Sequence, residues 1–443
     1  MRTLFVPLAV MALAVPPVFS QPAAGSNPSP IRHTAAAMAE PTGPLDLRSA
    51  LALALRFNPG LSSASREREA SDAAVLQAGA WPNPVFDAQV EDLRRGNRTT
   101  TLQLSQPIEL GGKRAARVTA AERARDQAAS ALLARRSELR ASVITLFFEV
   151  LAAQERLRLA QDSVGLAEGA TRAAARRVAA GKVSPLEESR ARVAEAGIRV
   201  ELLQAEGALR SARQQLAALW GNPNPRFTQA DGALDRLPAA AAAAADVGGR
   251  LSAAPVLRHA RLEVERRQAL SDLEQARRMP DVTVSLGAKR VPADEGMGSG
   301  SGRNQVVVGL SVPLPIFDTN RGNVAEALSR EEKARDELAA AELQLGTDVA
   351  QATERLRSAR ATAQTLQRDA LPGAEAAYKA AARGFELGKF SFLEALDAQR
   401  TLFQVRNQHL LAVADAHRTA AELDRLLGTG GEEETPDAAP AAR

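Results

Sequence analysis

Short stretches of alternating apolar and polar residues punctuate a chain otherwise patterned for helices. Val282, Val284 and Leu286 alternate with Thr283, Ser285 and Gly287. After the glycine-rich run Gly296–Gly302 the alternation resumes at Val306, Val308, Leu310 and Val312, with Val307, Gly309 and Ser311 between them. Val85 to Glu91 and Thr99 to Pro107 flank the turn-like Arg94-Arg95-Gly96-Asn97 in the same way. Period two around such connectors predicts two β-hairpins, each with one apolar face and one small or polar face. A hairpin packed on a soluble core would look similar; two hairpins at equivalent places favour strands that face lipid.

The remaining periodicity is helical. Single helices are predicted over Leu47–Ala80 and Leu251–Arg278. A third, Lys113–Ala180, contains no proline and would extend roughly 100 Å at about 1.5 Å per residue. Its counterpart runs from Gly322 towards Leu387, interrupted at Pro372-Gly373. Leu345, Val349, Ala352, Leu356, Ala359, Ala363, Leu366 and Ala370 follow steps of four and three, a heptad seam. Val143, Leu146, Val150, Ala153, Leu157, Ala160 and Val164 continue the pattern in the earlier helix. Alanine at many seam positions lets helix axes approach closely. Shorter helices return over Pro185–Leu219 and Phe392–Leu427.

The same order of elements occurs twice. Trp81-Pro82-Asn83-Pro84-Val85 answers to Met279-Pro280-Asp281-Val282, and Leu104-Ser105-Gln106-Pro107-Ile108 to Leu310-Ser311-Val312-Pro313-Leu314. Gly181-Lys182-Val183-Ser184-Pro185-Leu186-Glu187 answers to Gly388-Lys389-Phe390-Ser391-Phe392-Leu393-Glu394, and Leu219-Trp220-Gly221 to Leu426-Leu427-Gly428. Four landmarks in one order indicate a tandem duplication. The expected organisation is a signal peptide at 1–20, a Pro/Ala-rich leader at 21–44 and a first repeat at 45–221. A linker at 222–250, a second repeat at 251–428 and a flexible acidic tail at 429–443 complete it. The signal reading rests on Arg2, the apolar run Leu4–Val15 and the break at Pro16-Pro17.

Composition narrows the chemistry. Aromatics are 3% of the 443 residues, so burial must run along thin helix seams rather than a large aromatic core. The absence of cysteine excludes disulfides, thiolate metal sites and a lipidated N-terminal cysteine. A net charge of +4 from 56 basic and 52 acidic residues is no nucleic-acid footprint. His409 and His417 lie eight apart on a helix, where a ligand pair needs four, and read as ordinary polar positions. Gly296–Gly302 lacks the Lys-Ser/Thr ending of a phosphate loop. No catalytic constellation is present; neither an enzyme nor a cofactor or metal site is expected. No later stretch approaches eighteen uninterrupted apolar residues, so an exported chain of this kind either is soluble or enters a membrane as strands.

Four strands are too few to close a membrane barrel, and hydrocarbon does not tolerate an open sheet edge. The chain must share its barrel with copies of itself, and three copies give twelve strands, enough for a polar lumen. These features resemble the TolC-like outer-membrane factor family from Leu45 to Gly428. The segment Leu104–Arg114, with its Gly-Gly-Lys-Arg ending, resembles the heavy-metal, cobalt–zinc–cadmium branch. The resemblance implies a mainly α fold with a small β-barrel portion: a homotrimer with a shared twelve-stranded barrel in the outer membrane and a periplasmic helical tunnel. It implies a passive exit duct for substrates, heavy-metal cations in that branch, served by a periplasmic adaptor and an inner-membrane pump. It also implies that Glu394 and Asp397, three apart after the second turn, ring the closed aperture, with Glu187 their match in the first repeat. Acidic residues at a helix start have a plainer use, because the helix dipole favours negative charge there. Phe390 stands where family members can carry a basic residue, and Arg190 where the second acid of the first repeat would be. Arg190 could pair back to Glu187 or join an interchain latch. Gly181, Lys182 and Ser184, with Gly388, Lys389 and Ser391, would form the tips that meet the adaptor, although a glycine ending one helix and a serine capping the next explains the residue types by itself. The competing reading, a periplasmic adaptor or other exported coiled-coil protein, fits less well, since adaptors carry one helical hairpin rather than two equivalent ones.

Overall fold

A computed structural model describes residues 40–92, 98–234, 236–238, 244–292 and 303–428. The expected signal peptide, most of the leader, the turn Arg94–Asn97, the run Gly296–Gly302 and the acidic tail lie outside the described residues. The described elements begin with β1 (Pro44–Asp46), α1 (Leu47–Phe57) and α2 (Pro59–Ala78). A hairpin of β2 (Val85–Glu91) and β3 (Thr99–Ile108) leads into the 67-residue α3 (Lys113–Ala179) and the returning α4 (Pro185–Ala218). After β4 (Gln229–Asp231) and α5 (Ala244–Ala253) the order repeats. It comprises α6 (Pro255–Ala276), β5 (Val282–Val291), β6 (Arg303–Ser311), α7 (Arg321–Thr365), α8 (Leu371–Glu386) and α9 (Phe392–Leu427).

Two long rods run through the helical body. Near the strands, α2 packs on α3, α3 on α6 and α6 on α7; farther along, α4 and α9 both flank α3, while α9 also packs on α7 and α8. The seam of the second rod is buried at Leu345, Val349, Ala352, Leu356, Ala359 and Ala363. It loosens at Leu366 and Ala370, both half-buried. Those two residues bound a π-helical turn, Leu366–Ala370, in which the Leu371 amide donates to the Leu366 carbonyl. The interruption expected at Pro372-Gly373 is therefore a change of helical winding. Proline, which lacks an N–H, falls in the first turn of α8, where a donor is dispensable.

The helix expected over Leu47–Ala80 divides at Asn58. Its side chain caps α2 by accepting from the Leu61 amide at 2.8 Å, and Pro59 occupies the first helical position. At the end of the first repeat, Leu45, Val143, Phe147, Val150, Leu216, Trp220 and Phe227 form the largest core. Glu40, within the expected leader, reaches into it. Glu40 is buried, with Oε1 accepting from the Arg226 and Phe227 amides at 2.6 and 3.0 Å, and Oε2 from Trp220 Nε1 at 3.1 Å and Asn222 Nδ2 at 2.5 Å. Pro44–Asp46 then pairs in parallel with Gln229–Asp231. His409 and His417 are buried on α9 rather than being ordinary polar positions. The His417 ring stacks on Phe148 at a centroid distance of 3.5 Å, because α9 presses against α3 at this level.

Candidate functional site: an open sheet and a helical tip

The four long strands form one antiparallel sheet in the order β2-β3-β5-β6. Its register aligns Phe86, Leu104, Leu286 and Val308 in one row, and Ala88, Leu102, Ala288 and Val306 in the next. Asp87, Gln103, Gly287 and Val307 make a row of the opposite face, and Gln89, Thr101, Lys289 and Gln305 another. One face is thus aliphatic and aromatic, the other largely polar. The apolar face is uncovered within the chain: Phe86 is 66% exposed and Val308 73%. Such a contiguous apolar patch marks a surface covered by lipid or a partner. Among the described residues, β2 and β6 pair on one side only, leaving both outer edges of the sheet open.

Ion pairs fix the sheet to the helices. Asp281, just before β5, accepts from Lys113 Nζ at 2.6 Å and from the Leu110 amide at 3.1 Å, linking the second repeat to the start of α3. Arg117 forks onto Glu109 and also reaches the Ala78 and Ala80 carbonyls. Gly112 and Asn320, preceding α3 and α7, both have left-handed backbones, so the two strand-to-helix corners bend alike.

At the far end lie the two turns. Gly181 and Gly388 have φ values of 67° and 77°, the region where a side chain is strained. Ser184 caps α4 through the Leu186 amide. Ser391 and Glu394 make a reciprocal capping box: the Ser391 amide donates to Glu394 Oε2 at 2.7 Å, and the Glu394 amide to Ser391 Oγ at 3.3 Å. The Ser391 amide, and after it the Ser391 hydroxyl donating to Oε2 at 2.8 Å, hold the Glu394 carboxyl below the usual carboxylate range. Asp397 is exposed one turn on, and Leu393, Glu394, Leu396, Asp397 and Arg400 line a shallow hollow. Glu187 is half-buried in the first turn of α4, and no ion pair joins it to Arg190 among the described residues. Lys182 and Lys389 sit on the turns, both exposed.

Contacts between the repeats at this end were not anticipated. Arg177 on α3 donates to the Phe385 carbonyl at 2.6 Å while its guanidinium lies 4.5 Å from the centre of the Phe385 ring. Ala174, Ala191, Ala194, Phe385 and Leu396 pack beneath it. Phe390 folds against Gly384, where a β-carbon would stand 2.2 Å from its ring. A glycine six residues before an aromatic was the available signal, though spacing alone does not show that they touch.

The sequence matches the profile of the outer membrane efflux proteins over residues 50–222 and 250–429. The chain belongs to that family. It is an outer-membrane channel component homologous to the TolC-family proteins of tripartite efflux systems, with a large helical portion in the periplasm. The family's members are non-catalytic channels. The cobalt-zinc-cadmium resistance protein CzcC of Cupriavidus metallidurans is 45% identical over 430 residues, covering 97% of this chain and 100% of that protein. Among solved structures, CusC superposes with a TM-score of 0.71 at 19% identity, covering 86% of this chain and 91% of its own. A membrane protein from Pseudomonas aeruginosa gives 0.73 at 21%, covering 86% and 93%. No described helix is long and apolar enough to cross a membrane. Among the described residues, no group of three or more His, Asp or Glu is arranged to hold a metal ion.

Proposed function

We propose that three copies of this chain close their four-stranded sheets into one twelve-stranded barrel, continued by the helices as a tunnel across the periplasm. The observation that carries this reading is the sheet itself, with its exposed apolar face, polar opposite face and two open edges. In hydrocarbon each open edge would leave a row of amides and carbonyls without partners, and the first and last strands of neighbouring copies supply each other's missing bonds. The polar rows then line the lumen.

Glu394 and Asp397 form the aperture, with Glu187 contributing from the first repeat. Threefold symmetry multiplies the two acids on α9 to six around a narrow axis, a ring that draws cations and repels anions. Crowding raises carboxylate pKa values, and the capping box offsets this at Glu394 by stabilising its charged form. Phe390 offers no charge across the aperture, so closure rests on packing such as its seat against Gly384. The tips Gly181, Lys182 and Ser184, with Gly388, Lys389 and Ser391, meet the periplasmic adaptor, which joins the duct to an inner-membrane pump. The 45% identical relative is a cobalt-zinc-cadmium resistance protein, which supports heavy-metal cations as the cargo.

Conductance across a planar bilayer tests the aperture. Glu394→Gln with Asp397→Asn should lower the cation-to-anion permeability ratio severalfold at low salt. An unchanged ratio in an intact channel would reject the acidic ring.

A further inference from the structure

Where α9 ends, a second charged feature lies apart from the tip. Arg136 and Arg140 on α3 and Arg258 on α6 line a hollow of about 430 Å³, together with Leu55, Leu133 and Pro255. No Asp or Glu lines it, and none of the three guanidiniums has an ion pair or hydrogen bond among the described residues. Other arginines on these helices pair with an acid three residues away, as Arg135 does with Glu138 and Arg158 with Glu155. The first turn of α6 opens on the same hollow. Ala254 provides no side-chain cap there, so the positive end of the helix dipole adds to the three cations. Three guanidiniums with no acid among them favour a carboxylate-bearing occupant.

Gly428, the residue that caps α9, stands on the wall of this hollow, where a β-carbon would touch Pro255 at 3.0 Å. The sequence continues Thr429-Gly430-Gly431-Glu432-Glu433-Glu434-Thr435-Pro436-Asp437. At about 3.3 Å per extended residue, Glu432 comes within roughly 13 Å of Gly428 and Glu434 within roughly 20 Å. Two glycines permit a sharp turn, and three successive carboxylates match three guanidiniums in charge. We propose that the hollow is the docking site of the chain's own acidic run, Glu432–Glu434. Docked there, the run fastens the end of α9 remote from the tip to α1, α3 and α6. The strap fixes the end from which the aperture-bearing helix is suspended. It does not depend on the trimer or on the role of Glu394 and Asp397.

The chain contains no cysteine, so a pair introduced by mutation reports on its own. In the full-length protein, Arg136→Cys with Glu433→Cys should form an intrachain disulfide under mild oxidation, read by peptide mass spectrometry. Adding Arg140→Glu and Arg258→Glu should slow it about tenfold. A rate indifferent to that charge reversal, or a disulfide formed mainly between chains, would overturn the proposal. Without any cysteine, a glutamate-specific protease should cut at Glu432–Glu434 about tenfold more slowly in the native protein than in the Arg136→Gln, Arg140→Gln, Arg258→Gln variant. Equal cleavage rates would also overturn it.

Discussion

Replacing Glu40 by alanine removes a single carboxylate and strands four donors. Trp220 Nε1, Asn222 Nδ2 and the amides of Arg226 and Phe227 all point at its two oxygens, at 2.5 to 3.1 Å. A buried donor left without an acceptor costs about 1–3 kcal/mol. Trp220 and Phe227 are fully buried, so at least their two N–H groups stay dry, whereas water can reach part of the site around Arg226. Glu40→Ala should therefore destabilise the first repeat by about 4 kcal/mol. Glu40→Gln keeps one acceptor oxygen and the side-chain volume, and should cost about 2 kcal/mol on the same scale. The protein has two tryptophans, of which Trp81 is exposed and Trp220 is not. In a Trp81→Phe background, Trp220 emission during denaturant titration reports this core alone. The expected order of midpoints is native, then Glu40→Gln, then Glu40→Ala, with Trp220 emission shifted to the red in the alanine variant before unfolding. A loss below about 1 kcal/mol for Glu40→Ala, with emission unchanged, would show that the carboxylate is not holding the leader in place.

His417 gives the chain a pH-dependent weak point. Burial pushes its pKa down to about 4, although its hydrogen bond with the Arg236 backbone opposes the shift. A group with a depressed folded pKa binds its proton more readily when unfolded. Its contribution is fully present above about 6.5 and is lost as pH falls towards 4, up to about 3 kcal/mol. His417→Phe, which keeps a ring against Phe148, should remove that portion of the acid sensitivity, measured as the pH dependence of the melting temperature by circular dichroism; identical slopes would count against it. At the tip, Gly384→Ala gains about 1 kcal/mol of helix propensity but displaces the Phe390 ring. A double-mutant cycle should find the gain in the Phe390→Ala background and little or none in the native one, a coupling near 1 kcal/mol. Additive effects would mean that the ring does not depend on the glycine. Arg177→Met keeps an apolar stem over Phe385 but loses the bond to its carbonyl; hydrogen exchange should rise in the last turns of α3 and α8 and not in α6.

Much of this architecture was readable because it rests on repetition. Alternation over 282–287 and 306–312 placed Val284, Leu286, Val308 and Leu310 on one face, and the register keeps them there. The heptad steps from Leu345 to Ala363 identified the buried side of α7, since two apolar positions per heptad leave one way to pack. What escaped notice depends on contacts between distant residues. Glu40 reads as part of a Pro/Ala-rich leader, and nothing local shows that Trp220 and the amides at 226 and 227 converge on it. His417 has the residue type of a surface position, yet α3 presents Phe148 to it. Phe390 looked like a missing charge; the space left by Gly384 gives it a packing role instead. The division at Asn58-Pro59 was legible, since asparagine followed by proline marks a helix start, but the apolar period carried across it. Glu394 retains both uses considered from the sequence: it caps α9, and as a charged group one turn from Asp397 it suits the proposed ring.

The mass of the purified protein in detergent tests the shared barrel most directly. Native mass spectrometry should give a complex of three chains, each close to the 46.8 kDa of the full sequence less any removed leader. A monomer that stays dispersed in buffer without detergent would contradict it, because one chain alone leaves both sheet edges and the whole apolar face open to water.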